Sequence, residues 1–263
     1  MISDNHDPLT AALGGLAVDP PAELIDRIIA RWVRVPGPIG PLYVAFTEAG
    51  IAYVRPGDTV SDSDAEFAAA FRGRFARPMR PGTRAPAGLL PALRTGRVSA
   101  LRFDLSGLGT FDQAVLAAAA TIPRGEVRPY RWIAEQVGRP GAVRAVGSAL
   151  GRNPVPVLIG CHRVIRSDGA VGDYVFGAAT KFRLLAVESA NLGEVRELAR
   201  HGVRYLASDT TGVVCFPSCS HARRITAAHR QGFASVAAAQ LAGYRPCRHC
   251  RPIAALAQRE ASS

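Results

Sequence analysis

Asn153-Pro154-Val155-Pro156-Val157-Leu158-Ile159-Gly160-Cys161-His162-Arg163-Val164-Ile165 is the stretch on which the reading of this chain turns. An apolar, extended run delivers a cysteine directly beside a histidine and an arginine. A thiol of ordinary pKa is mostly protonated at neutral pH, so nucleophilic work needs a nearby base or a positive charge. His162 is the candidate base. Residues 180–188 read as a helix that can fold back and let Glu188 orient the imidazole. The competing reading is a buried, inert cysteine, the commoner fate of an isolated one. The adjacent His162 and Arg163 weigh against it.

Upstream, residues 110–122 form a helical segment capped by Thr110 and ended by Pro123-Arg124-Gly125. Residues 130–137 and 142–151 then read as two short helices around the turn Gly138-Arg139-Pro140-Gly141, a helix-turn-helix pattern. The second helix carries Arg144 and Arg152 among small residues, which makes both candidate DNA contacts. Nearer the start, residues 21–33 place Leu24, Ile28, Ile29 and Trp32 on one helical face. Residues 42–46 and 51–54 flank the turn Thr47-Glu48-Ala49-Gly50 as a hairpin. A helix over 64–76 and a strand over 100–105 complete a small α+β domain without a chemical constellation, and Gly107–Thr110 is its boundary.

Downstream, Cys215-x3-Cys219 and Cys247-x2-Cys250 have the spacing of a tetrathiolate zinc site. Ser235 caps a helix ending at Gly243 between the two pairs. Five cysteines, four of them in this last block, fit metal ligation and a reactive thiol better than a disulfide framework. With 263 residues, 48% of them hydrophobic, the chain is long enough for more than one core. Its polar start and lack of a long apolar run point to a cytoplasmic protein with no membrane partner. The net charge of +11 is unevenly spread. Residues 1–107 hold 12 Arg against 11 acids, 108–190 hold 10 basic residues against 6 acids, and 191–263 hold 10 against 4. Codon bias explains why Lys181 is the only lysine, but not this segmental excess, which suits a polyphosphate partner.

Residues 111–190 closely resemble the C-terminal catalytic domain of the O6-alkylguanine-DNA alkyltransferases. The resemblance is carried by Asn153-Pro154, by Gly160-Cys161-His162-Arg163-Val164 and by Gly169-Ala170-Val171-Gly172-Asp173-Tyr174. With the preceding α+β domain it covers about residues 40–190. It implies that Cys161 accepts the alkyl group in a single, irreversible displacement. His162 removes the thiol proton through a water, and Glu188 holds His162. Tyr130 and Tyr174 bind the flipped guanine, Arg144 fills the stack it leaves, and Asn153 braces the turn to the active site. Lys181 falls near the active-site loop. The implied partner is double-stranded DNA, met from the minor groove by a monomer; an alkylated oxygen inside the duplex is out of reach until its base is extruded. Two departures stand out: Gly160 where proline is usual, and Phe176 in the loop after Tyr174 where small residues are usual.

The last block resembles the zinc domain of Ada-type methylphosphotriester repair proteins, through Thr210–Cys219 and Gly243–Cys250. That resemblance makes Cys215 both a ligand and a second possible nucleophile, with a purely structural quartet as the alternative. It also makes Arg223, Arg224, Arg245 and Arg248 candidate phosphate contacts. Phe216 stands where arginine is common, and the zinc domain comes last instead of first.

The expectation is therefore an α+β protein: a 1–34 extension, a ribonuclease H-like α/β domain over 35–107, a winged-helix-like catalytic domain over 108–192, a zinc domain over 193–256 and a 257–263 tail. Its expected activity is that of a methylated-DNA–protein-cysteine methyltransferase acting on O6-alkylguanine, with O4-alkylthymine a further substrate. It needs one zinc ion and no organic cofactor. The alternatives are a non-catalytic lesion-binding protein, which Cys161 argues against, and a methylation-responsive DNA-binding regulator, which lacks an activator region here.

Overall fold

The computed structural model describes residues 28–253. Its first sheet is built from β1 (Ala30–Gly37), β2 (Gly40–Phe46) and β3 (Ile51–Pro56), which run antiparallel, and β4 (Met79–Pro81), parallel to β1. The strand order is β3-β2-β1-β4. Side chains alternate between faces along each strand. Trp32, Tyr43, Ala45 and Tyr53 therefore pack on Phe67 and Phe71 of α1 (Asp64–Phe75), while Val33, Val35, Val44 and Val54 point into the main core.

That main core is shared with α2 (Leu89–Thr95), α3 (Thr110–Ala120), α4 (Tyr130–Gln136) and α5 (Val143–Gly151). The short strands β5 (Arg128–Pro129) and β6 (Val164–Ile165) pair in parallel beside α4. After β6 comes α6 (Gly177–Val187). The last block holds α7 (Leu192–Arg200), β7 (Tyr205–Ser208), β8 (Val213–Cys215), β9 (Arg230–Phe233), α8 (Val236–Leu241) and β10 (Arg245–Pro246). Its sheet runs β10-β8-β7-β9. No helix of the described residues is long and apolar enough to cross a membrane.

Four local expectations need correction. The helix read over 21–33 fails from Ala30 onward, because Trp32 and its neighbours are drawn into β1; residues 21–27 lie outside the described part. Strand pairing with β2 overrides a helical pattern only a few residues long. The strand read over 100–105 shrinks to a single bridge between Phe103 and Ile51. Thr110 is the first residue of α3 and Gly109 its cap, with no side-chain capping bond. The run before Cys161 is not extended but turns back on itself, with Ile159 N–H donating to Val155 O at 3.0 Å. The hairpin, the 64–76 helix, the helix-turn-helix pair and the Ser235 cap all appear as expected, Ser235 Oγ accepting from Ala238 N–H at 3.1 Å.

Candidate active site and metal centre

Cys161 opens a single 3-10 turn, Cys161–Arg163, that follows the folded-back segment and precedes β6. Asn153, fully buried, holds that segment together. Its Oδ1 accepts from Val155 N–H at 2.9 Å, and its Nδ2 donates to Ile159 O at 3.3 Å and to Cys161 Sγ at 3.1 Å. Between these anchors Val157 sits at φ 75°, a left-handed conformation that is costly for a β-branched residue. Strain of this kind persists only where neighbours over-determine it, and here Asn153 does so one step from the thiol.

Behind the thiol, His162 Nε2 lies 3.1 Å from Glu188 Oε1, so Nε2 donates and Nδ1 keeps its lone pair. His162 Nδ1 is buried without a hydrogen-bond partner, as is Tyr174 Oη. Arg163 clamps the same carboxylate, with Nε to Oε2 at 2.9 Å and a terminal nitrogen to Oε1 at 2.7 Å, and donates to Ile122 O at 2.7 Å. The adjacent arginine is thus not near the thiol as a charge but holds the residue that holds the histidine. Burial raises the Cys161 pKa and lowers that of His162, which favours a neutral thiol beside a neutral imidazole. Burial acts against Glu188 ionisation, yet the hydrogen bonds from His162 and Arg163 outweigh it and bring its pKa down to about 2. A neutral histidine with its outer nitrogen free and its inner one on a fixed carboxylate is arranged to accept a proton.

The other expected residues frame this pair. Tyr130 begins α4, and its hydroxyl packs on Gly172, where φ is +69° and a Cβ would come within 3.1 Å of Tyr130 Oη. Tyr174 stands edge-on to His162, with ring centroids 6.3 Å apart, and burial raises its pKa well above 10. Lys181 is fully buried and donates to Val164 O at 2.7 Å and Asp173 O at 3.2 Å, tying α6 to both sides of the loop; burial brings its pKa down to about 8. Phe176, one of the two departures, packs edge-on against Tyr174 and under the Arg55 guanidinium, which also stacks on Tyr53. The first sheet therefore reaches the active-site loop. It also reaches the turn before Cys161, where Val54 N–H donates to Pro154 O at 2.9 Å. At Gly160, the other departure, φ is −70° and a Cβ would come within 2.9 Å of the Arg163 side chain.

The candidate DNA contacts divide. Arg144 is exposed on α5. Arg152, at the end of α5, is bound at both ends of its fork to Asp112, at 2.7 and 2.8 Å, and so already has a partner within the protein. Arg223, Arg224, Arg245 and Arg248 are all exposed on the last block, and Arg223 lies against Gly125.

The four cysteines of the last block converge from β8, the turn after it and the turn after β10, with every Sγ within 4.8 Å of the others. A tetrahedral zinc site with bonds of about 2.3 Å needs sulfurs roughly 3.8 Å apart. The donor set fits one zinc ion, and Cys215, Cys219, Cys247 and Cys250 are the side chains placed to hold it. All four are buried, Cys215 to 1% exposure. They share one core with residues of the preceding block, a contact the sequence did not announce. Phe216 packs on Tyr205 and under Arg128, whose guanidinium also faces Trp132. Trp132 Nε1 donates to Arg251 O at 2.8 Å, and Ser218 Oγ donates to Val127 O at 2.8 Å while accepting from Val127 N–H at 3.0 Å. Glu126, Arg128, Ser218, Ser220, His249 and Arg251 were missed because their partners lie roughly a hundred residues away in the chain.

A buried thiol in a histidine–carboxylate setting, beside a helix-turn-helix and joined to a four-cysteine site, is arranged as in a cysteine protein of the group-transfer class. The family profile described as 6-O-methylguanine DNA methyltransferase, DNA binding domain, matches residues 110–190, and the metal binding domain of Ada matches residues 194–252. A methylated-DNA–protein-cysteine methyltransferase of Methanosarcina barkeri is 35% identical over 169 residues, 60% of this chain and 96% of that protein. One of Mycobacterium leprae is 46% identical over 100 residues, 38% of this chain and 61% of that protein. The crystal structure of Mycobacterium tuberculosis OGT in complex with DNA is 32% identical, covering 63% of this chain and 98% of that one with a TM-score of 0.47. The chain belongs to the methylated-DNA–protein-cysteine methyltransferase family and carries an Ada-type metal-binding domain at its C-terminal side.

Proposed function

We propose that this protein repairs alkylated double-stranded DNA by moving the alkyl group from guanine O6 onto Cys161, once per molecule. The observation that carries this reading is the buried set Asn153–Cys161 and His162–Glu188–Arg163, which aims one lone pair of a neutral histidine at no protein partner. In the reaction the Sγ–C bond forms as the C–O6 bond breaks. The thiol proton passes to His162 Nδ1 through a water and then to the departing guanine, so protons balance and no cofactor is consumed. Glu188 holds the imidazole and offsets its transient charge. Tyr174 Oη donates to the leaving guanine. The thioether has no exit, and the protein is spent.

The target base leaves the stack to reach the thiol, because its alkylated oxygen is shielded inside the duplex. Arg144 on α5 fills the space, with the small side chains of that helix against the minor groove, and a monomer suffices. Arg224, Arg245 and Arg248 add phosphate contacts. Arg152 serves the fold, through Asp112, more than the DNA.

The quartet is assigned a structural role. When bound, zinc gathers the four thiolates and offsets about half of their charge. Cys215 is 1% exposed, in one core with Phe216 and residues of the preceding block, so a phosphotriester has no approach to its sulfur. The test is transfer of radiolabelled methyl from duplex DNA carrying O6-methylguanine, run with protein in excess and then with DNA in excess. One methyl per protein and no turnover support the reading. Tight binding with no transfer would make this a lesion-recognition protein instead.

A further inference from the structure

Residues 121–127 link α3 to β5 and lie between the two cysteine sites. Toward the catalytic side, Ile122 O accepts from Arg163 at 2.7 Å and Arg124 donates to Val187 O at 2.9 Å. Gly125 N–H points at Glu188 Oε2 at 3.4 Å. Gly125 has φ +77°, and a Cβ there would fall 2.7 Å from Glu188 O, so only glycine lets the two segments approach this closely. Toward the metal side, the very next residue, Glu126, is 1% exposed and is bonded to residues flanking both halves of the quartet. Its Oε1 accepts from Ser220 N–H at 2.9 Å, beside Cys219, and from His249 Nε2 at 3.0 Å, between Cys247 and Cys250. Its Oε2 is paired with buried Arg128 at 2.5 Å.

We propose that Glu126 is a positioning residue for alkyl transfer, through which the metal-bound shape of the quartet holds the 121–127 corner against Glu188 and so holds His162. The inference rests on the functional reading above and extends it. Ser220 follows Cys219 and His249 lies in the Cys247–Cys250 turn, so an ion that draws the four sulfurs together holds both donors on Glu126. When that ion leaves, the two donors separate and the carboxylate loses the contacts that offset its burial. The corner then relaxes on its other face, where it presses on Val187 and Glu188. Coupling of this kind is reciprocal, so loosening Glu126 must also weaken the hold on zinc.

The experiment uses the full chain, as wild type, Glu126→Gln and His249→Ala, each with zinc bound and after treatment with a chelator. His249 is partly exposed, so its variant remains useful if Glu126→Gln folds poorly. Three quantities are read: amide hydrogen exchange over 121–127 and 186–190, the rate of zinc release to a chromophoric chelator, and the rate of Cys161 methylation at saturating DNA across pH. Chelation of the wild type is expected to speed exchange in both segments about tenfold while the middle of α3 is unchanged. Both variants should show that faster exchange with zinc still bound, release zinc faster, and shift the pH profile of methylation. Chelation should add little further, because both changes act on one linkage. Unchanged exchange on chelation, or variant and chelator effects that simply multiply, would overturn the proposal. A wild type that transfers no methyl group while the exchange coupling holds would instead overturn the functional reading and leave the linkage standing.

Discussion

The molecule keeps its cysteines in two opposite settings, and the difference explains what each can do. Cys161 stands alone, its pKa raised by burial, with an amide nitrogen on its sulfur, a histidine beside it and the buried Lys181 ammonium close enough to offset part of that rise. In the proposed reaction its chemistry is switched on by proton removal at the moment of attack. The quartet is four sulfurs within 4.8 Å of one another, a grouping that needs a cation to be stable. Its thiolates are permanent and committed to geometry. On the proposed reading, two buried groups of sulfur serve different ends: one reacts because a base stands beside it, the other is inert because a metal holds it and nothing reaches it.

Substitutions that exchange these properties should have graded effects. The largest is Cys161→Ala, which should abolish methyl transfer from O6-methylguanine duplex while leaving zinc content unchanged by metal analysis. Next, His162→Ala should slow single-turnover transfer by roughly 100- to 10,000-fold, the usual span for loss of a general base. Cys161 would stay in place, and zinc content would again not move. In the other direction, Glu126→Ala leaves Arg128 buried and unpaired. It should cost about 3–5 kcal/mol in urea unfolding, the range for breaking a buried pair from one side.

The pH dependence separates the two settings further. His162 is held below its ordinary value of 6.5 by burial, so transfer should stay constant as pH falls from 7.5 to 6.5, with its acid limb lower still. Glu188 is depressed from 4.5 to about 2. The stability it contributes is fully present above about pH 4.5 and is lost as pH falls through about 2. Urea midpoints between pH 6 and pH 3 should therefore fall less steeply in Glu188→Gln than in the wild type. The smallest effect is expected for Arg144→Ala. It should weaken DNA binding and lower the salt slope by no more than about one, without altering the chemistry once DNA is saturating.

Much of this was legible in the chain because it is local. Cys161 and His162 are neighbours, the two cysteine pairs announce themselves by spacing, and the helix pair 130–137 and 142–151 follows from its Gly-containing turn. The pairing of His162 with Glu188 was reachable too, since a single helix returns the carboxylate. What was not legible depends on distant contacts. Trp32 looked helical because its few neighbours are apolar at helical spacing; only the partner strand decides otherwise. Nothing local marks Arg128 and Glu126, and only the docking of the last block makes them a buried pair. Arg163 was visible as a charge beside the thiol, but its direction, away from sulfur and onto Glu188, is set by the turn at Cys161.

The most direct measurement is peptide mapping by mass spectrometry after incubation with duplex DNA carrying both O6-methylguanine and methylphosphotriesters. A single gain of about 14 Da, one methylene, on the peptide containing Cys161 and none on that containing Cys215 is the predicted result. A methyl group on Cys215, or none on Cys161, would contradict it.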